Sequence, residues 1–397
     1  MGNEKKISFL FALSSLLLEI MAKKDTFNTS LADSQATKVE PIAPEKFDRV
    51  RYAEYAAELD ARCKAFWEAD EGVLVYRRMR VKEVFAEDCR DRQLSLAWQL
   101  GALDASMQFE ADVPNFLEPW YGLGTVAAAY GFDYRWEKGQ APAVDGKFMT
   151  TADLVAAPFK PVAETAIGRH TLEMVAYFLD KTKGEIPMSY CDVQSPLNTL
   201  SNIIDSNSFY LDLMLDPDSI TTAMERTADL LIDFTEAQRR LIGDALVKPG
   251  HGFASSRMFD GLGMSDDTVT MLSDDLYFPL CVPAMQRVGD RFGGAVFHSC
   301  GNWSQKKQEI ARIGGLRMAD GAFSLATDPG ANPTEGFADA FAGTGVVLNA
   351  RIVGDVELVE EKVRQLWKPG MKLIVVTYAE TPEEQAEIYR KIHEICR

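Results

Sequence analysis

From about residue 50 onward, short apolar runs alternate with longer amphipathic segments, and this alternation constrains the fold more than any other feature of the chain. Eight runs lie at 72–76, 113–119, 150–156, 186–194, 251–256, 294–298, 315–319 and 345–349, and a ninth at 371–378. Each has the length of a buried strand. Amphipathic helices are expected between them at Tyr52–Ala69, Asp88–Glu110, Pro161–Lys181, Asp218–Leu246, Ser273–Phe292, Val356–Leu366 and Pro382–Cys396. Ser273-Asp-Asp and Thr381-Pro-Glu-Glu are strong helix starts, with a capping hydroxyl and acids in the first turn. Strands that alternate with helices make a parallel sheet with crossovers. Eight such units close into an α/β TIM (β/α)8 barrel, here with an N-terminal helical extension. A ninth strand has no place in it, so 150–156 (Thr-Thr-Ala-Asp-Leu-Val-Ala) is expected to be a helix or loop. The glycine-rich signatures of Rossmann and P-loop nucleotide sites are absent from the sequence.

Composition narrows the partners. The formal charge of −17 argues against nucleic acid, because phosphate binding needs clustered Lys and Arg. The six cysteines, at 63, 89, 191, 281, 300 and 396, have no short repeated spacing and point to a reducing compartment. Lys5-Lys6 and the apolar stretch Ile7–Leu18 resemble a signal peptide, yet Glu19 interrupts it and no small-residue cleavage site follows. A cytoplasmic protein is expected, with export as the alternative if residues 1–22 act as a signal and with Met21 as an alternative start. Residues 1–48 read as a leader and 49–397 as one barrel domain, with no stable membrane span.

In a barrel of this kind, chemistry collects where the strands end. The most specific feature there is His298-Ser-Cys300, which leaves the run Gly294-Ala-Val-Phe297. Residues two apart on an extended segment point to the same side, so the imidazole and the thiol can address one metal ion or one substrate group. Two ligands alone equally describe a buried cysteine beside a hydrogen-bonded histidine. Other strand ends supply further candidates. Arg77, Asp192, Asp260 and Tyr378 are candidate catalytic residues, and Arg80, Trp120, Gln194, Arg257, Asp320 and Asn349 are candidate substrate contacts. Taken singly, each has a structural reading: arginines at a loop start as surface charge, Asp192 as a helix cap, Asp320 as a turn residue, Tyr378 as a packed aromatic. His170 and His393 fall on expected helices, and His251 falls at the opposite, stability face of the barrel.

The segment Leu272-Ser-Asp-Asp-Leu-Tyr-Phe-Pro-Leu-Cys-Val-Pro283, the helix after it, and Gly294-Ala-Val-Phe-His298-Ser-Cys300-Gly301-Asn302 resemble the uroporphyrinogen decarboxylase superfamily. So does Phe209-Tyr-Leu-Asp-Leu-Met-Leu-Asp-Pro217 with the long helix behind it. The resemblance covers roughly residues 50–397 and implies a TIM barrel. One branch that it implies is methyltransferases passing a methyl group between a corrinoid and a thiol, with zinc held by a His-x-Cys pair and a further Cys near the last strand. His298 and Cys300 match that pair. The third position reads Tyr378-Ala-Glu380 instead, so Glu380 or Cys191 stands in as the expected third metal ligand. The corrinoid is then expected on a separate partner protein. The other branch, decarboxylases of tetrapyrrole-like or other polycarboxylates, needs no cofactor and binds carboxylates through an arginine-rich loop. Tyr76-Arg77-Arg78-Met79-Arg80 occupies a comparable place without the family's Arg-Gln-Ala-Gly-Arg-Tyr pattern. The leading expectation is a methyltransferase-like enzyme with a small-molecule substrate, a corrinoid protein as partner and a homodimeric state. The alternatives are a decarboxylase and a non-catalytic barrel with a binding role.

Overall fold

The computed structural model describes residues 36–86, 90–119, 124–136, 142–250 and 252–397. The elements relevant to the site are, in chain order, α1 (Arg49–Glu68), β1 (Gly72–Arg77), α2 (Arg92–Ser106), a two-stranded hairpin of β2 (Asp133–Arg135) and β3 (Ala143–Asp145), α3 (Thr151–Ala156), α4 (Ala166–Thr182), α5 (Pro196–Ile203), α6 (Ser206–Leu215), α7 (Pro217–Ile242), β4 (Leu262–Ser265), α8 (Val282–Asp290), β5 (Ala295–His298), β6 (Leu316–Ala322), β7 (Val347–Arg351), α9 (Val356–Leu366), β8 (Lys372–Thr377) and α10 (Pro382–Ile395). Residues 1–35, which hold most of the expected leader, lie outside the described residues. No helix among the described residues is long and apolar enough to cross a membrane.

Six parallel strands pair in the order β1-β8-β7-β6-β5-β4. Single backbone hydrogen bonds carry the ring from β1 to β4. Asp112 N donates to Val75 O, Leu117 N to Pro187 O, Met188 N to Ala245 O, and Val247 N to Met188 O, each at 2.8–2.9 Å. Gly263 N then donates to Pro249 O and Ser265 N to Val193 O, both at 3.0 Å. The result is a closed α/β barrel whose second to fourth staves touch through isolated bridges rather than long ladders.

Two expectations about the strands meet different outcomes. Residues 151–156 form α3, opened by a capping box between Thr150 and Asp153. Within the run at 251–256, expected as a strand, residues 252–256 form a loop, and the fourth stave is made instead by 245–249 together with β4. Gly250 and Gly252 sit at φ 121° and 82°, and the Ser255 hydroxyl bonds back to Gly250 N and O at 3.0 Å. These contacts curl the segment on itself before it can extend. The expected helix at 273–292 begins with a short α-helical turn at Asp274–Leu276 and passes through a π turn at Tyr277–Cys281 before α8.

Side-chain parity divides the core in two. Leu74, Tyr76, Val296, Met318, Val347, Ile374 and Val376 form one buried cluster inside the barrel. Val75, Phe297, Ala319, Leu348, Ala350, Leu373 and Val375 belong to a second, which packs with the surrounding helices. Period-two alternation therefore sends Arg78, His298, Asp320, Asn349, Arg351 and Tyr378 along the inward rows. Packing around β5 is close. A Cβ built on Gly289 of α8 would lie 2.4 Å from Ala295 N and 2.6 Å from its Cβ. Gly289→Ala is expected to lower stability by about 1–3 kcal/mol, as overpacking against backbone does; a chemical denaturation curve coinciding with the wild type would refute this close approach.

Candidate metal and substrate site

His298 ends β5, and Cys300 follows one residue into the loop. His298 Nε2 lies 3.2 Å from Cys300 Sγ, so the two donors do share a side. A third donor comes from the loop after β4: the ligand atoms of Asp267, His298 and Cys300 all lie within 4.8 Å of one another. Cys300 N donates to Asp267 Oδ1 at 2.7 Å, which ties the two loops together. Donors around one zinc ion are roughly 3–4 Å apart, so this set fits a small thiophilic cation with only minor side-chain rotation.

The surroundings hold these donors in place. Asp320 Oδ2 accepts from His298 Nδ1 at 2.5 Å and from Arg351 Nε at 2.9 Å. Asn349 Nδ2 donates to the other oxygen of Asp320 at 2.5 Å. With Nδ1 engaged by a carboxylate, Nε2 is left facing Cys300 as the ligating nitrogen. Burial pulls the His298 imidazole down, but the charges of Cys300 and Asp320 outweigh it and hold the group well above its usual range. Burial pushes the Asp320 carboxyl up, and Arg351 and His298 more than reverse it.

Asp266 anchors the loop that carries Asp267. Its backbone N donates to His298 O at 2.7 Å, and its buried carboxylate accepts from Ser195 Oγ at 2.5 Å and Tyr277 Oη at 2.6 Å. Burial pushes that carboxyl up to about 6 despite the two donors. A second chain reaches Asp267 from the third stave. Gln194 Nε2 donates to Asp192 at 3.2 Å, Asn198 Nδ2 donates to Gln194 Oε1 at 2.7 Å and to Asp267 Oδ2 at 3.3 Å.

Of the residues singled out from sequence, His298, Cys300, Asp320 and Asn349 therefore meet directly, Asp192 and Gln194 join through Asn198, and Tyr378 lies on an inward row. Others do not join. Arg77 points outward: its Nε donates to Ala379 O at 2.8 Å, its Nη1 also donates to Arg78 O, and its guanidinium lies 4.8 Å over the Phe109 ring. Burial pulls it down to about 10. Parity is the reason, since β1 buries Leu74 and Tyr76 inside and turns Val73, Val75 and Arg77 to the helix layer. Arg80 lies beyond the strand, where its carbonyl accepts from Thr37 N at 2.7 Å. Asp260 and Arg257 sit at the opposite mouth of the barrel, because the strand expected before them is a loop and β4 begins after them. Asp260 pairs with Lys248 at 2.6 Å, and Arg257 with Asp60 at 3.2 Å and Glu185 O at 3.3 Å. Glu380 is exposed, with its backbone N donating to Glu384 at 2.9 Å, and the donor that lies near His298 and Cys300 is Asp267. Cys191 packs toward α7, its N donating to Gln238 at 2.8 Å, and burial pushes its thiol up to about 12. Trp120 and His251 lie outside the described residues.

Sequence reasoning missed Asp267 and Asn198. A signal for Asp267 existed: Gly261-Leu-Gly-Met264 followed by Ser265-Asp266-Asp267 has the same apolar-then-polar form as the other strand ends, but the run at 251–256 had been assigned to that stave.

A family model described as uroporphyrinogen decarboxylase (URO-D) matches residues 69–372. No curated protein matches the sequence. Among solved structures, the chain is similar to a methyltransferase from Methanosarcina mazei, at 14% sequence identity and a TM-score of 0.62, over 85% of this chain and 98% of that one. At that identity the likeness establishes the barrel fold.

Proposed function

The chain belongs to the uroporphyrinogen decarboxylase family, and on that premise we propose that it is a methyltransferase-like enzyme that passes a methyl group between a corrinoid on a separate protein and a small thiol. The observation that carries this reading is the convergence of Asp267, His298 and Cys300, a carboxylate, an imidazole and a thiol at one mouth of the barrel. That donor set suits zinc, which binds three protein ligands at catalytic sites and leaves one position open. A bound zinc ion would lower the pKa of a substrate thiol and so supply the thiolate near neutrality.

The protein's own groups do the rest. Asp320 keeps the Nδ1 proton of His298 and fixes the ring, and Arg351 and Asn349 hold Asp320 in turn. Asp266, through Ser195 and Tyr277, keeps the Asp267 loop against β5. For the decarboxylase reading, the Arg77 guanidinium is engaged by backbone carbonyls outside the barrel, and Arg78, on the inward row beside Glu118, is the arginine of that loop that a carboxylate could meet.

Metal analysis of the purified protein tests the proposal. One zinc per chain is expected in the wild type, and less than about a tenth of that in His298→Ala, Cys300→Ser and Asp267→Ala. Wild-type protein that takes up no zinc from a buffered zinc solution, or variants that retain it, would remove methyl transfer as the reading.

A further inference from the structure

In the helix layer, between α1, the segment that leads into the second stave, and α10, lies an open cleft of about 310 Å³. Three rings wall it: Tyr55 from α1, Phe109 from the connecting segment and Tyr389 from α10. Contacts behind the wall hold each ring. Tyr389 Oη donates to Asp112 Oδ1 at 2.7 Å, and its ring centre lies 4.5 Å from that of His393. Tyr55 packs on Tyr52 with ring centres 5.7 Å apart, and the Arg77 guanidinium lies 4.8 Å over Phe109. The wall is therefore formed by the folded chain before any ligand arrives.

Of the charges around this cleft, only one is left over for a ligand. Arg62 gives Nη2 to Glu58 at 3.0 Å and turns Nη1 toward Ala111 O at 3.3 Å and Asp112 Oδ1 at 3.5 Å. Asp112 is taken up by Tyr389, His393 and Val75 N. Glu110 also lines the cleft, and its exposed carboxylate makes no hydrogen bond or ion pair among the described residues. Burial raises the Tyr389 phenol, and Asp112 and Glu110 raise it further against the pull of Arg62. Aromatic faces attract a cation through the ring quadrupole, and a free carboxylate beside them adds a full charge of the same sign of attraction. A neutral ligand of the same shape gains from burial alone.

We propose that this cleft binds a small organic ammonium ion with an aromatic body, its charge set between Glu110 and the rings of Tyr55, Phe109 and Tyr389. The volume stands at the lower end of small-molecule pockets, about 300–1,000 Å³, and suits a single ring with a short amine arm. The formal charge of −17 enriches such cations around the chain. None of the lining residues belongs to the metal donors or to their hydrogen-bond partners, so the site stands independently of the methyl-transfer reading. A ligand there touches both α1 and α10, the helices that flank β1, and should raise the melting temperature as it binds.

The full-length protein is titrated calorimetrically with 2-phenylethylammonium, with 2-phenylethanol as its neutral analogue, and with ethylammonium as the cation without a ring. The aromatic ammonium is expected to saturate one site per chain and to bind at least about fivefold more tightly than either control. Glu110→Gln changes an exposed side chain that has no partner, so its melting temperature should match the wild type while its affinity for the aromatic ammonium falls about threefold or more. Tyr55→Leu keeps apolar bulk and removes a ring, and should weaken the aromatic ammonium severalfold. Should Tyr55→Leu fail to fold, the Glu110→Gln comparison still decides. No saturation below about 10 mM, equal affinity for the aromatic ammonium and either control, or wild-type affinity in either folded variant would overturn the site.

Discussion

Asp320→Ala is expected to be among the most damaging single substitutions, costing about 3–5 kcal/mol of stability. The carboxylate has no solvent exposure and receives His298 Nδ1, Asn349 Nδ2 and Arg351 Nε. Its removal leaves the Arg351 guanidinium charged and buried without a counter-ion, which is the costly half of breaking such a pair. It also frees the His298 ring to turn, and loss of such a supporting contact commonly lowers metal affinity by about 10–100-fold. Urea unfolding and zinc titration read the two effects separately. The double substitution Asp320→Ala with Arg351→Met should recover part of the stability and none of the zinc affinity. A single variant within about 1 kcal/mol of the wild type would mean that the network does not carry the site.

Asp112→Asn is expected to loosen the last helix from the barrel, at a cost of about 2–4 kcal/mol. Asp112 is 3% exposed and joins β1 to α10: it accepts from Val75 N at 2.9 Å and Tyr389 Oη at 2.7 Å, with His393 Nε2 at 2.9 Å and Arg62 at 3.5 Å. Burial pushes its carboxyl up, and the His393 and Tyr389 contacts outweigh that, so the folded-state pKa lies below the ordinary carboxylate value. A depressed carboxyl contributes its stability in full above the unfolded pKa of about 4, and loses it as pH falls through the folded value. The gap between wild type and Asp112→Asn in denaturant unfolding should thus be constant from neutrality to about pH 5 and narrow below about pH 4. A gap that widens on acidification would contradict the sign of this linkage.

The barrel was legible in the sequence because strand and helix periodicities are local. Val73–Val75, Ala295–Phe297, Val347–Leu348 and Leu373–Val376 announce themselves as buried strands, and Thr381-Pro-Glu-Glu begins α10 as expected. The fourth stave was misread because the run at 251–256 is apolar, while Ser255 bonds back to Gly250 and both Gly250 and Gly252 have positive φ, a feature that hydrophobicity does not report. That one displacement carried Asp260 and Arg257 to the wrong mouth of the barrel and hid Asp267. Parity was available and went unused: Leu74 and Tyr76 inside imply Arg78 inside, and so exclude Arg77.

By itself the sequence determined the parallel α/β barrel, the family, and the two-residue spacing that puts His298 and Cys300 on one side. The barrel and the His298–Cys300 spacing are consequences of periodicity along the chain, and the family rests on the resemblance carried by residues 209–217, 272–283 and 294–302. The tertiary structure alone decided the third donor, Asp267, and the partners Asp320 and Arg351, because they come from loops and strands 22 to 53 residues away from His298 in sequence. Ring closure, not local pattern, brings them within hydrogen-bond range. The gap at Tyr378-Ala-Glu380 is likewise a matter of three-dimensional placement: the third donor beside His298 and Cys300 comes from another strand end, as Asp267, and Tyr378 acts instead on the buried Arg78 and Arg351.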